Sequence, residues 1–490
     1  MPWSKSPAPP LPASPKALCK PSWNSRPTPW ASNNPVPPAG APAPSSGSNA
    51  PFRCRAPNCN RASPSATAPT AAGTFSPQRP ILRLDGHGYS PALLHKIVSA
   101  GARLHSFADA AFALSLSGLS ISARHVQQLT QEVGSDLARA RDAQAQKRRR
   151  RQLAPRVQVP PEVVAVEVDG GRLRTRAPDH GQGVHQAENK ENKIACLVTL
   201  TDVAHTEDPQ PEPPPSFVQP RRVQRLVQQM AGQASDPLAA AGAPEGPEAA
   251  EAPATPAAAI PDPAAEPWAP RRLVRTCVAS MVNSRAFGPL VAAEAQSRDF
   301  YAARRRAFVG DGCAYNWSIQ RGYFADFVPI VDLLHVVCYL FRAAQAVEAE
   351  AERWPLYLRW LRSCWRGQAA EVLNQMERYQ ERLGRPPPGE DLAATDPRVV
   401  LAEALTYLRH NVERMDYPRY RREGLPTTSS LVESLVGEFN ARVKGKQKFW
   451  NRPGGAEAVL QVRAALLSED GRLERYFAER PGSPYRRRTA

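Results

Sequence analysis

Apolar positions carry a clear period in only part of the chain. In TTSSLVESLVGEFNARVKGKQKFW, Val432, Leu435, Val436, Phe439 and Val443 recur at i, i+3, i+4, i+7 and i+11. That is the period of an amphipathic helix, and Thr428, Ser429 or Ser430 can cap it. The β-branched run Val163 to Val168 reads as a buried strand that ends at Asp169 against Gly170 and Gly171. Asn192 to Val203 reads as another strand, antiparallel because the connection is short. A helix is expected over roughly Phe287 to Arg306, with the basic stretch RRLVRT before it also read as helical. Ala307 to Val309 is a short strand ending at Gly310, with Asp311 in a turn before a helix that starts near Ala314. Val328 to Val331 is a further strand, with Asp332 at its end and His335 one helical turn on. Residues 336–416 hold helical stretches and few strand signals.

On the N-terminal side, residues 89–133 read as helical. Ser90 is an N-cap, Pro91 stands at the first helical position and Gly101 is a stop. SFADAAFALSLSG and SISARHVQQLTQEVG form a helix pair joined around Gly118, the second helix starting at Ser122. This is the layout of a helix-turn-helix, within a region spanning residues 81–150. Its second helix would present Arg124, His125, Gln127 and Gln128 to a major groove. A plain helical hairpin fits the same pattern. The basic run Lys147 to Arg151, with Arg148 and Arg149, reads as a tether or solvated face that can grip phosphate.

Two stretches lack any period. Residues 1–80 hold 20 prolines among Ser, Ala and Asn, and cannot bury enough apolar surface to offset the entropy of ordering, so a disordered arm is expected. Residues 233–270, rich in Ala, Pro and acidic residues, read as a linker. The 490 residues carry a net charge of +17 and 52 prolines. Such a surplus of cations points to a polyanionic partner. No apolar run approaches the roughly 18 to 20 residues of a membrane span, and the N-terminus lacks a secretory core, so a cytoplasmic, nucleoid-associated protein is expected. The scattered cysteines read as reduced thiols; Cys54 and Cys59 would be half of a zinc site, but no second pair follows.

The candidate chemistry lies in carboxylates. A lone aspartate after a strand is an ordinary turn residue. Aspartates at the ends of several strands of one sheet would converge on one edge, and clustered carboxylate oxygens suit a hard divalent cation. Glu433 lies about 100° from Val432 around its helix, at the border of the apolar face. It shares a side with Val436, Gly437, Asn440 and Lys444, though a first-turn glutamate is also favoured by the helix dipole alone. Arg172, Arg174 and Arg176 alternate along one strand face, and Arg442, Lys444, Lys446 and Lys448 follow Glu433; all are candidate phosphate contacts. Phe449 and Trp450 read as a buried aromatic pair, or as a stacking surface for a splayed base. His335 is a candidate support for a metal site through Asp332, or a structural histidine.

Taken together, EVDGGRLRTR, FVGDGCAYNW, VDLLH, NVERMDYPRYRREGLPTTSSLVES and RVKGKQKFW resemble the motifs of bacterial insertion-sequence transposases of the DDE type, most closely the Kra-type group. The resemblance covers roughly residues 81–204 and 270–476. It implies an α/β, RNase H-like catalytic core, a mixed five-stranded sheet flanked by helices, over 155–335 and 425–476, with a helical insertion at 336–424. Asp169, Asp311 and Glu433 would be the triad, holding two Mg²⁺, with Mn²⁺ expected to substitute. Such a pair of ions serves in-line displacement at phosphorus, first by water and then by the freed 3′-OH. The partners implied are double-stranded DNA, as element ends and target, and further copies of the chain in a synaptic dimer or larger oligomer. The alternatives are an RNase H-like nuclease or resolvase that only hydrolyses, and an inactive DNA-binding derivative.

Overall fold

The computed structural model describes residues 88–176, 187–234, 268–387, 389–390, 392–445 and 448–479; among these, the side chains of Ala187, 231–234, Leu431 and Glu433 are not described. The expected arm, Cys54 and Cys59, most of the expected linker, and Lys446 lie outside these residues.

Three helices come first: α1 (Pro91–Arg103), α2 (Phe107–Leu116) and α3 (Ala123–Arg149). Then come β1 (Val163–Arg176), β2 (Ala187–Thr201), a helical turn at Pro215–Val218, α4 (Pro220–Ala234), β3 (Arg271–Ser280), α5 (Ser284–Ser297), β4 (Arg305–Gly310), α6 (Ala314–Tyr323) and β5 (Val328–Val331). The strands form one mixed five-stranded sheet in the order β3-β2-β1-β4-β5. β1 pairs antiparallel with β2, and β2 with β3, while β1–β4 and β4–β5 are parallel. This is an α/β architecture with helices packed against the sheet. Its core draws on Val163 to Val166, Ile194 to Val198, Ala307 to Val309 and Ile330 to Val331, all nearly inaccessible.

The strands depart from expectation in two places. β1 does not stop at Asp169: it runs on through Gly170 and Gly171 to Arg176, paired with β2 down to Ala187. Each glycine is accommodated in extended backbone because the hairpin partner supplies hydrogen bonds along the whole arm, which a single-strand reading cannot see. The basic stretch RRLVRT is not helical but forms the start of β3, an edge strand whose arginines at 271 and 272 are exposed while Cys277 to Ser280 are buried. The helix expected over Phe287 to Arg306 is the shorter α5, followed by a 3-10 turn at Phe300–Ala302 and then β4.

After β5 the described residues form helices and turns: α7 (Leu333–Val347), α8 (Glu350–Trp365), α9 (Ala369–Leu383), α10 (Pro397–Asn411) and α11 (Tyr417–Arg422). The chain then returns to the sheet through α12 (Ser430–Val443) and ends in α13 (Pro453–Leu467) and α14 (Arg472–Glu479). All five apolar positions read from the period of α12, Val432, Leu435, Val436, Phe439 and Val443, are buried.

The first helices follow their caps. Ser90 accepts from the Leu93 amide at 3.4 Å, Ser106 from Asp109 at 3.0 Å and Ser122 from His125 at 3.2 Å. α1 passes Gly101 and ends at Arg103. Gly101 serves packing instead: a Cβ there would meet Thr130 Oγ1 at 2.3 Å. α3 likewise runs through Gly134 for 27 residues, so the basic run from Lys147 is its last turn and not a loose tether. At Gly134 the backbone of α13 crosses so closely that a Cβ would lie 2.0 Å from the Ala458 carbonyl oxygen. The three helices share a core with α13 and α14 through Leu94, Ile97, Val126, Val462 and Phe477.

Because backbone cannot yield as a flexible side chain can, Gly134→Ala should lower unfolding free energy by roughly 2 to 3 kcal/mol, the upper part of the overpacking range. Gly322→Ala, in a helix with nothing near its Cβ position, should be neutral or slightly stabilising. Urea melts of the two variants side by side check this; equal stabilities would refute the close crossing.

Candidate functional site

The parallel half of the sheet sets three aspartates side by side. The β1–β4 register ends with Val168 opposite Gly310, and the β4–β5 register ends with Gly310 opposite Val331. The next residue on each strand path is Asp169, Asp311 and Asp332. All three therefore emerge at one edge of the sheet, although Asp169 lies within a strand that continues while its neighbour has stopped.

Asp169 and Asp311 are partly accessible, whereas Asp332 is fully buried. Burial, and then the nearby charge of Asp311, push the Asp169 carboxyl up to about 6, against a hydrogen bond from the Gly170 amide at 2.6 Å. The Asp311 carboxylate is held in its turn: its Oδ1 accepts from the Cys313 amide at 2.9 Å and from Asn316 Nδ2 at 2.8 Å. Asn316 also reaches the Val168 carbonyl at 3.3 Å, tying the two strand ends together. Around them, burial and the two aspartates push the Cys313 thiol and the Tyr315 hydroxyl far up, so both stay protonated.

Asp332 serves a different purpose. It caps α7 by accepting from the Leu334 amide at 3.1 Å, bonds His335 Nδ1 at 2.6 Å, and accepts from the Ser429 amide at 2.8 Å. Ser429 is the N-cap of α12 but makes no side-chain cap bond of its own. A second buried carboxylate completes the cap from outside the helix: Glu167 Oε2 accepts from the Val432 amide at 2.9 Å. The bond from His335 and those from the backbone hold the Asp332 carboxyl below the usual carboxylate range despite its burial.

These contacts place α12 over β1. Glu167, Asp169 and Gly171 share one face of the strand, two residues apart. Glu167 touches the start of α12, and a Cβ on Gly171 would be 3.7 Å from Asn440 Oδ1, near its end. Asp169 lies between these two contacts. On α12, Glu433 and Asn440 lie seven residues apart, on the same side of the helix. Among the described residues Asn192, fully buried on β2 opposite Gly171, has no hydrogen-bond partner for either side-chain polar atom, and neither has Asn440 Oδ1.

The helices between β5 and α12 brace the Asp311 turn. Tyr407 on α10 donates to the Asp311 carbonyl at 3.0 Å, and Trp317 Nε1 donates to Asn411 Oδ1 at 3.0 Å. Gly312, at φ +94°, leaves no room for a side chain, since a Cβ would meet the Tyr407 ring at 2.5 Å. Tyr417 on α11 donates to the Val331 carbonyl at 3.0 Å.

The candidate DNA contacts separate into two kinds. Arg124, Gln128, Arg149 and Arg172 are exposed, and Gln127, Arg174, Lys444 and Lys448 are partly so. Arg148 lies 5.4 Å from the centre of the Tyr301 ring and donates to its hydroxyl at 3.2 Å, so it anchors the end of α3. Arg442 is buried, with Nε on the Gly101 carbonyl at 2.9 Å, and ties α12 to α1. Its stem and most of its planar head are taken up by packing, so it is not a surface contact for the backbone of a duplex. Trp450 is buried against Val443 and bridges to β1 beside Thr175, while Phe449 next to it is exposed, so the aromatic pair is divided.

Among the described residues no group of three His, Cys, Asp or Glu side chains is gathered to hold a metal ion, and the side chain of Glu433 is not among them. Asp169 and Asp311 nevertheless suit a hard cation, since burial and then the charge of Asp311 raise the Asp169 carboxyl, and a bound cation would offset both. The sequence reading missed Glu167, Asn316, Tyr315 and Tyr407. Only Glu167 carried a signal, as the single charge inside the apolar run VVAVEV. No family model matches the chain, and no curated protein matches it. Among the described residues no helix is long and apolar enough to cross a membrane.

The two carboxylates should shift stability with pH in opposite directions. Asp169 has a folded pKa above its unfolded one, so folded stability falls as pH rises from about 4 to about 6, by at most about 3 kcal/mol and less where water screens it. Asp169→Asn should therefore melt higher than the parent at pH 7.5 and match it near pH 4, and added Mg²⁺ should stabilise the parent alone. Asp332, whose carboxyl is lowered, should behave in reverse. Asp332→Asn should cost roughly 1.5 to 3 kcal/mol at pH 7, a loss that shrinks as pH falls below the carboxylate range. Thermal melts across pH decide both; the same sign for the two variants would refute the division of roles.

Proposed function

We propose that this chain is a DDE-type transposase with an RNase H-like core, in which Asp169, Asp311 and Glu433 hold divalent cations and DNA strands are cut and rejoined. The observation that carries the reading is the alignment of Asp169 and Asp311 at one sheet edge, with α12, the helix of Glu433, laid over the strand face of Asp169. The strand order, with two parallel pairs beside an antiparallel hairpin and its edge strand, is compatible with that core.

The residues divide the work as follows. Asp169, Asp311 and Glu433 would supply hard oxygen ligands, and bound Mg²⁺ or Mn²⁺ would polarise the scissile phosphate and stabilise the oxygens that enter and leave it. Asn316 and Tyr407 fix the turn that carries Asp311. Glu167 and Asp332 fix the start of α12, and thus the position of Glu433 along the sheet edge. In the first reaction a water oxygen bonds to phosphorus, the bond to the 3′ oxygen breaks, and that oxygen leaves with a proton as a 3′-OH. In the second, the 3′-OH bonds to a target phosphorus and displaces the target's 3′ oxygen. DNA as double-stranded ends and target, and a dimer or larger assembly that pairs two ends, belong to the same proposal. The exposed Arg124, Gln128 and Arg172 are its candidate DNA contacts.

Asp169→Asn, Asp311→Asn and Glu433→Gln should each lower cleavage by at least about a thousandfold while leaving binding of duplex ends within a fewfold, as removal of a metal-ligand charge demands. The assay uses the full chain with Mg²⁺ and DNA carrying the element's own ends. Nicking without any joining of the 3′ end to a second duplex would identify a nuclease. Binding without nicking would identify an inactive DNA-binding derivative.

A further inference from the structure

Away from the carboxylates, a cleft of about 640 Å³ opens between the first helices and the segment after α12, lined in part by Arg124, Gln128, Arg442, Lys448, Phe449 and Arg452. Arg442 forms its floor. The residue is 3% exposed, its guanidinium lies 4.4 Å from the Phe107 ring centre, and Nε and Nη1 reach the carbonyls of Gly101 and His105. Among the described residues its Nη2 is buried without a hydrogen-bond partner and no carboxylate forms an ion pair with it, although the charge of Asp109 acts on it. A buried guanidinium with an unmet N–H and no ion-paired carboxylate is costly unless an anion comes to it.

The surroundings favour the same anion. Lys448, whose Nζ donates to the Ala441 carbonyl at 2.7 Å, is held below its usual range by burial and by the charges of Arg442 and Arg463. A second cation kept beside the first is a phosphate-binding arrangement. α13 starts at the same cleft, with Arg452 at its N-cap and no side-chain cap. Its fifteen residues direct the positive end of their dipole there, and Gly455 in its first turn lines the cleft. Phe449, 38% exposed on the cleft wall, adds an aromatic face. A concave site of this size suits a small ligand better than the broad backbone of a duplex.

We propose that the cleft binds one unpaired DNA nucleotide, with its phosphate between Arg442, Lys448 and the N-terminus of α13 and its base stacked on Phe449. The proposal rests on the reading of the chain as a DNA-processing protein and adds that it grips a strand whose bases are exposed, as at a frayed or cut end. Stacking on an aromatic face is tolerant of base identity, so sequence preference at this position should be weak.

The test uses the full chain carrying Asp311→Asn, so that cleavage does not interfere, and follows fluorescence anisotropy of a labelled oligo-dT 12-mer and of a blunt duplex at one salt concentration. Phe449→Ala and Arg452→Ala should each weaken oligo-dT binding by about 5- to 30-fold, change duplex binding by less than about threefold, and leave thermal melting unchanged. Phe449→Trp should retain binding. The proposal is overturned if the Asp311→Asn parent does not bind oligo-dT or if the variants bind it as the parent does. It is also overturned if oligo-dT and duplex weaken equally, which would make the cleft a general backbone contact. The catalytic reading fails separately, by absence of metal-dependent nicking when Asp311 is intact.

Discussion

Two carboxylates with no access to solvent, Glu167 on β1 and Asp332 after β5, accept the amides of Val432 and Ser429 at the start of α12. A helix N-terminus presents unpaired donors and positive potential, and here both are met by groups that belong to the sheet. The helix that carries Glu433 is thereby fixed to two strands at once. Removing such acceptors leaves buried amides unsatisfied, so these bonds set the position of α12 more firmly than apolar packing alone would.

The same edge holds a conflict of charge. Asp169 and Asp311 sit close enough that one raises the other's carboxyl, while Asn316 and the Cys313 amide keep Asp311 in place. Such a raised carboxyl is common where a site is organised for a ligand. The helices α7 to α11 are part of the support: Tyr407 and Tyr417 reach the turn and strand that bear the aspartates, and Asn411 reaches Trp317 on the helix that follows Asp311. The proposed function and the cleft near Phe449 draw on separate parts of the molecule, one on carboxylates at the sheet edge and the other on cations between α3 and α13.

The sequence by itself determined what depends on local order. Serine caps at 90 and 122, the apolar stripe of α12 and the strands before Asp311 and Asp332 were all legible, because caps and periods of 2 or 3.6 act within a few residues. The aspartates were legible as a set for the same reason. What only the tertiary structure decided involves partners distant in the chain. β1 extends past Asp169 because β2 pairs with it, and RRLVRT is a strand because β2 offers it an edge. Gly134 is required by Ala458, and Arg442 is drawn into the interior by carbonyls more than 300 residues away. Glu167 shows the boundary most plainly: a charge inside an apolar run is visible in the sequence, but the amide that makes it tolerable lies 265 residues further on.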